Sequence, residues 1–133
     1  MEKKVLVIGD DPEVRIYVEA LLESGGFAPL SAEDEIQGFT LAHKEDPVLI
    51  ILDIMMPEER GITMYRSLLN DPVLKSKPVI MLSALPMKTV FHYWNFYFEW
   101  KRSKGSELLD CIEMPPERDE LLKMIQKHLV NTK

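Results

Sequence analysis

The sequence has little cysteine, little positive charge and no long apolar run. Its one cysteine, Cys111, excludes an internal disulfide and fits a reducing cytosol. The 16 Lys and Arg residues are outnumbered by 22 Asp and Glu residues, and the net charge of -6 argues against nucleic acid as a direct partner. The first apolar run, residues 5–8, is too short for a signal-peptide core or a membrane span. These absences predict a soluble, cytoplasmic protein that has no membrane partner.

Length and composition are those of one globular domain. The chain has 133 residues, of which 46% are hydrophobic and 29% are charged. It contains neither an internal repeat nor a low-complexity linker. We therefore expect residues 1–133 to form a single domain, and excision from a longer protein stays an open alternative.

Short apolar runs alternate with helical patterns, an arrangement typical of βαβ units and a parallel sheet. We expect strands at the apolar runs 5–8, 48–52 and 79–82, and a weaker one at 27–30. Helical patterns cover residues 34–45 and 62–69 between these runs. The pattern predicts an α/β fold.

The first and last helices have the clearest patterns. Asp11 can cap the first helix, Pro12 suits its first turn, and Gly25-Gly26 can end it. Apolar spacing predicts the residues that face the core in each helix. These are Val14, Tyr17, Val18, Leu21 and Leu22 in the first helix, and Leu121, Leu122, Ile125, His128 and Leu129 in the last.

Polar residues follow three of the predicted strands. Asp10 and Asp11 follow the first strand, Asp53 the third and Ser83 the fourth. In a sheet of order 2-1-3-4-5 these strands are neighbours, and ligands bind at their carboxyl ends. Carboxylates would repel one another there, and Mg²⁺ takes oxygen ligands of this kind. The pattern therefore predicts a magnesium site, whereas helix capping alone would leave Asp10 and Asp53 unexplained.

These residues, in this order, resemble the receiver domain of bacterial two-component response regulators. The matching motifs are Asp10-Asp11, Ser83-Ala84 and the run from Asp53 through Met55-Met56-Pro57 to Gly61. The resemblance covers essentially the whole chain. It implies a flavodoxin-like, doubly wound five-stranded parallel sheet of order 2-1-3-4-5 with helices on both faces.

The resemblance also implies a role for each matching residue. Asp53 would accept a phosphoryl group from a histidine kinase or a phosphotransfer protein. Asp10, Asp11 and Asp53 would hold Mg²⁺ together with the backbone carbonyl of Met55, and Ser83 would donate a hydrogen bond to a phosphoryl oxygen. The implied function is a phosphoacceptor that signals by contact with other proteins. Its only chemistry would be self-phosphorylation and self-dephosphorylation, so we do not expect an enzyme.

The chain departs from the receiver pattern at the last strand. The family expects a Lys before a Pro there, and this sequence has Met114-Pro115. Cys111 occupies the place of the family's aromatic switch residue. Three carboxylates and one divalent cation leave a net negative charge, which a Lys would neutralise. Four cationic side chains are candidate substitutes: Lys88, Lys101, Arg102 and Lys104.

An aromatic segment lies between the fourth and fifth strands. Between Phe91 and Trp100 it contains seven aromatic residues, out of 2 Trp, 4 Tyr and 5 Phe in the chain. Their spacing fits a helix or a strand, and the alternation of strands and helices favours a helix. Part of the segment must pack in the core, but one helix face cannot bury so many aromatic side chains. Core packing alone and an additional surface for a homodimer or a downstream protein both stay open.

Two other functions stay open. The chain could be a pseudo-receiver, an interaction module that keeps the acidic edge but no longer relays phosphate. A small hydrolase with Asp53 as nucleophile is disfavoured, because the pattern contains no second acid-base residue near Asp53. His43, His92 and His128 lack metal-ligand spacing and are expected on the surface or on a helix face.

Overall fold

Five parallel strands form the centre of the molecule in a computed structural model that describes residues 2–53, 60–83 and 109–131. Their bounds are Lys4–Ile8 (β1), Ala28–Ala32 (β2), Leu49–Asp53 (β3), Val79–Ser83 (β4) and Leu109–Glu113 (β5). They pair in the order β2-β1-β3-β4-β5, and every pair is parallel. The predicted flavodoxin-like sheet is confirmed.

Four α-helices lie in the described ranges. Their bounds are Pro12–Ser24 (α1), Glu35–Glu45 (α2), Arg60–Asn70 (α3) and Arg118–Asn131 (α4), and a short 3-10 helix covers Leu74–Ser76. The predicted helices agree with α2 to within one residue, and α3 begins two residues earlier and ends one residue later than predicted. β2 begins one residue later and ends two residues later than predicted. β3 begins and ends one residue later, and β4 ends one residue later. These shifts make Asp53 and Ser83 the last residues of their strands.

The core consists of two apolar layers, one on each face of the sheet. One layer contains Leu6 and Ile8 of β1 with side chains of α2 and α3. The other contains Val5 and Val7 with side chains of α1 and α4. β3 and β4 are buried at every position. Because helices cover both faces, these two strands have continuous apolar sequences rather than alternating ones.

Helix α1 begins and ends at the predicted residues. The Asp11 side chain accepts a hydrogen bond from the Glu13 amide at 2.9 Å, and Pro12 is in the first turn. Gly25 caps the other end, and Gly26 has a φ of 85°, which glycine adopts without strain. The prediction was wrong for Tyr17, which is 41% exposed. The cause is its phenol group, which donates a hydrogen bond to the Pro116 carbonyl at 2.9 Å instead of entering the core.

Helix α4 has the predicted apolar face. Leu121 and Ile125 are fully buried, and Leu122 and Leu129 pack partly buried against the same layer. His128 is only 4% exposed, so the helix-face alternative is correct for this residue and the surface alternative is wrong. Its Nε2 lies 3.3 Å from Oδ2 of Asp110 on β5.

Several predictions concern residues outside the described ranges. Met55, Ala84, His92 and the aromatic segment from Phe91 to Trp100 lie there. So do the four candidate cations, Lys88, Lys101, Arg102 and Lys104. Among the residues that are described, no helix is both long enough and apolar enough to cross a membrane.

Candidate functional site

Asp53 and Ser83 lie at the same edge of the sheet, where the parallel strands β3 and β4 end. Asp53 is 6% exposed and Ser83 is fully buried. Asp53 pairs with Leu82 in the strand register, so Ser83 is one position beyond the direct partner of Asp53. This register places the ends of β3 and β4 side by side. That the Asp53 and Ser83 side chains form one site stays a prediction. A carboxylate with so little exposure must have polar partners, since burial of an unpaired charge is costly.

Gly9 is in direct contact with Asp53. Ile8 pairs with Leu52, and continuing this register by one residue brings Gly9 beside Asp53. A Cβ atom built on Gly9 would lie 3.0 Å from the Asp53 Cβ and 3.3 Å from its Oδ2. Both distances are tighter than ordinary contacts, so the main chain of Gly9 forms one wall of the carboxylate environment. The sequence reasoning missed this role, although the expected pairing of the first and third strands contained the signal.

Asp10 and Asp11 follow Gly9 and are both exposed. One carboxylate oxygen of Asp11, Oδ1, accepts the amide hydrogen bond that caps α1. Within the described ranges, no group of three His, Cys, Asp or Glu side chains is arranged so that it could hold a metal ion. The predicted ligand set of Asp10, Asp11, Asp53 and the Met55 carbonyl therefore stays a prediction.

The residue in place of the expected lysine lies at this same edge. Ser83 pairs with Glu113, and the amide of Met114 donates a hydrogen bond to the Ser83 carbonyl at 2.7 Å. The Met114 side chain is partly buried against the core layer of α1 and α4. The Met114–Pro115 peptide bond is cis. Position 114 therefore contributes an apolar side chain to the edge and no positive charge.

Arg15 is a second residue that the sequence reasoning missed. It lies one helical turn after Asp11 on α1, and its Nη1 donates a hydrogen bond to the Gly9 carbonyl. Its Nε donates to the Ser31 hydroxyl on β2 at 3.0 Å. A guanidinium group thus contacts the residue whose main chain adjoins Asp53. Its position one helical turn after Asp11 was only a weak signal of this contact, because the sequence does not show where the guanidinium of so long a side chain lies.

Comparisons with known proteins identify the family to which the sequence and the fold belong. The family model described as the response regulator receiver domain matches residues 5–93. The chain is 39% identical over 82 residues to the DNA-binding dual master transcriptional regulator RpaA of Synechocystis, covering 62% of this chain but 34% of that protein. It is 29% identical to protein PilH of Pseudomonas aeruginosa, covering 92% of this chain and 93% of PilH. The chain therefore spans about a third of one relative and nearly all of the other.

A solved structure shows the same fold over nearly the full length. It is the receiver domain of a sensor histidine kinase from Pseudomonas aeruginosa PAO1, with a magnesium ion coordinated in the active site cleft. The TM-score is 0.76 at 21% identity, with 98% of this chain and 100% of that chain covered. The likeness of the folds and the family match over most of the sequence lead to one conclusion. The chain belongs to the receiver domains of two-component response regulators.

Proposed function

We propose that this chain is a phosphoacceptor domain that takes a phosphoryl group on Asp53. One observation carries the proposal: Asp53 is a nearly buried carboxylate at the carboxyl edge of the sheet, beside Gly9 and next to the strand end that bears Ser83. A nucleophile needs a fixed position and partial exclusion of water, and both follow from this placement. The donor would be a histidine kinase or a phosphotransfer protein, as for other receivers.

The proposed chemistry is a transfer between two nucleophiles. An oxygen of the Asp53 carboxylate forms a bond to phosphorus while the bond from phosphorus to the donor breaks, and the electron pair of that bond leaves with the donor. The Ser83 hydroxyl, one position along the edge, would donate a hydrogen bond to a phosphoryl oxygen. Water later cleaves the acyl phosphate and restores the carboxylate. No turnover of an external substrate is part of this proposal, and that the chain is not an enzyme stays a prediction.

A divalent cation fits the donor set at this edge. Mg²⁺ is usually held by one or two carboxylates and keeps several waters, so Asp53 and the exposed Asp10 are sufficient protein ligands. Asp11 could join them through its second oxygen, because its helix cap uses only Oδ1. When bound, Mg²⁺ would offset the negative charge of the phosphoryl group. Asp10 and Asp53 would hold the ion, and the Met55 carbonyl remains the fourth predicted ligand.

A second candidate function is favoured by Met114. A receiver with lysine at position 114 would have one more positive charge to balance the phosphoryl group on Asp53. In the pseudo-receiver alternative, the chain keeps the fold and the acidic edge as a docking module and does not relay phosphate. In both cases the signal passes by protein contact, for which the aromatic segment from Phe91 to Trp100 is a candidate surface. A cytoplasmic location likewise stays a prediction.

One experiment separates the two candidates. The protein is incubated with acetyl phosphate and Mg²⁺, and the intact mass is followed with time. The phosphoacceptor proposal expects a single phosphoryl addition that is lost in Asp53→Asn and reduced in Asp10→Asn. Asp46→Asn is the matched control, because Asp46 is an exposed aspartate before β3, at the opposite end of the sheet. Absence of any addition at high donor concentration would support the pseudo-receiver and reject the phosphoacceptor.

A further inference from the structure

Arg15 connects three elements at the edge that carries Asp53. The side chain starts on α1, and its guanidinium donates to the Gly9 carbonyl, directly after β1, and to the Ser31 hydroxyl on β2. The planar guanidinium presents its donors in a fixed geometry, so two bonds from different nitrogens define its position well. The connection therefore fixes the turn between β1 and α1.

That turn determines the environment of Asp53. The main chain of Gly9 is so close to Asp53 that a Cβ on Gly9 would lie 3.0 Å from the Asp53 Cβ. On its other side, the Gly9 amide donates to the Ala32 carbonyl of β2 at 3.0 Å. Gly9 is thus held from β2 and from Arg15 while it contacts Asp53. A shift of the Gly9 carbonyl would change the wall against which the carboxylate rests.

We propose that Arg15 is a positioning residue for Asp53, acting through its two hydrogen bonds to the Gly9 carbonyl and the Ser31 hydroxyl. It also determines the direction in which Asp10 leaves the turn, because Asp10 is covalently attached to Gly9. The effect on phosphorylation rests on the proposed function, whereas the effect on the Asp53 environment does not. The competing explanation is that Arg15 only stabilises the packing of α1 on β2.

The chain offers a matched control for that competing explanation. Arg118 on α4 makes the same kind of two-bond contact at the other end of α1, with Nε donating to the Ser24 hydroxyl at 2.8 Å and Nη2 to the Ser24 carbonyl at 3.1 Å. Arg118→Met removes an arginine that binds one hydroxyl and one carbonyl at the end of α1 opposite to Asp11, and that also pairs with Asp119 Oδ1 at 2.8 Å. A purely structural role predicts similar effects of Arg15→Met and Arg118→Met.

The first measurement needs no phosphorylation. The ¹³C resonance of the Asp53 carboxyl is compared by NMR in the wild type, Arg15→Met, Arg15→Lys and Arg118→Met. We expect displaced or broadened Asp53 signals in both Arg15 variants, since lysine keeps the charge but cannot make the two directed bonds, and an unchanged signal in Arg118→Met. Ser31→Ala removes only one of the two bonds and should give a smaller change. If an Arg15 variant does not fold, the Asp53 signal of Ser31→Ala still tests the positioning role.

The second measurement is the rate of phosphorylation by acetyl phosphate with Mg²⁺. A misplacement of a reacting group by about 1 Å can lower the rate about 100-fold. The loss of one positioning contact should lower the maximal rate of phosphorylation on the order of 10-fold. The half-saturating donor concentration should change little, because the two Arg15 hydrogen bonds are made to groups of the protein itself. If the wild-type protein takes no phosphoryl group, the proposed function is rejected. The NMR comparison then tests the positioning role of Arg15 by itself. An Asp53 signal that is unchanged in Arg15→Met, or fully restored in Arg15→Lys, would overturn the positioning role.

Discussion

Replacing Gly9 by alanine would place a methyl group against Asp53. The new Cβ would lie 3.0 Å from the Asp53 Cβ and 3.3 Å from its Oδ2. Carbon atoms pack at about 3.5–4.0 Å, so the two strand ends must separate by roughly 0.5–1 Å. The φ angle of Gly9 lies outside the left-handed region, so lack of space, and not backbone strain, is the reason that glycine is required.

The expected cost has two parts. Overpacking of this kind lowers the free energy of unfolding by about 1–3 kcal/mol. An about 1 Å displacement of the nucleophile should lower the phosphorylation rate by up to about 100-fold. Urea unfolding measures the first quantity, and the time course of intact mass with acetyl phosphate measures the second.

A control variant separates the site effect from general destabilisation. In Gly25→Ala the new Cβ would lie 2.5 Å from Leu122 Cδ2, at the end of α1 away from Asp53. We expect this variant to lose stability and keep its phosphorylation rate. If Gly9→Ala is phosphorylated as fast as the wild type, the contact of Gly9 with Asp53 does not control the reactivity of the carboxylate.

Three further predictions follow from charges and from water access. Met114→Lys should speed phosphorylation by acetyl phosphate, because it returns a cation to the edge; an unchanged mass time course would show that another cation already supplies the charge. The backbone amide of Leu74 is the main cause that lowers the pKa of Asp71. At pH values above its unfolded-state pKa, ionised Asp71 should therefore stabilise the fold, and this stabilisation should be lost as the pH falls through the lower pKa of the folded state. The difference in urea midpoint between the wild type and Asp71→Asn should then disappear in acid. A difference that is the same at every pH would contradict this prediction. The resemblance to receivers implies that the residues two positions after Asp53 and two after Ser83 flank the path of water to phosphorus, and these are Met55 and Leu85. The double variant Met55→Asn and Leu85→Glu should therefore shorten the lifetime of the acyl phosphate by admitting water, and decay measured by mass at the wild-type rate would reject that reasoning.

The fold could be predicted because its signals are local. β3 and β4 are buried on both faces, so their sequences are continuous apolar runs bounded by polar residues. Asp53 and Ser83 were found for the same reason, since a polar residue that ends such a run must lie at the sheet edge. The strand boundaries were wrong by one or two residues, because apolar patterns do not show which residue makes the last ladder hydrogen bond.

The rest of the site depends on contacts between distant segments. Gly9 touches Asp53 only because β1 and β3 pair in one particular register. The position of the Arg15 guanidinium depends on β2, which carries Ser31, as well as on α1. Tyr17 was wrongly predicted as a core residue, because its hydrogen bond is to Pro116, which lies far away in the sequence. Helical periodicity contains no information about such partners.

The order of the strands has a consequence for synthesis of the chain on the ribosome. β1 lies in the interior of the sheet, between β2 and β3, yet it is made first. It can pair with β2 early, but its other edge stays open until Leu49–Asp53 has been made. At about 5–20 residues per second, the edge of Lys4–Ile8 is exposed for a time on the order of seconds. An apolar strand with an open edge can pair with other chains, so the nascent chain can misassemble during this interval.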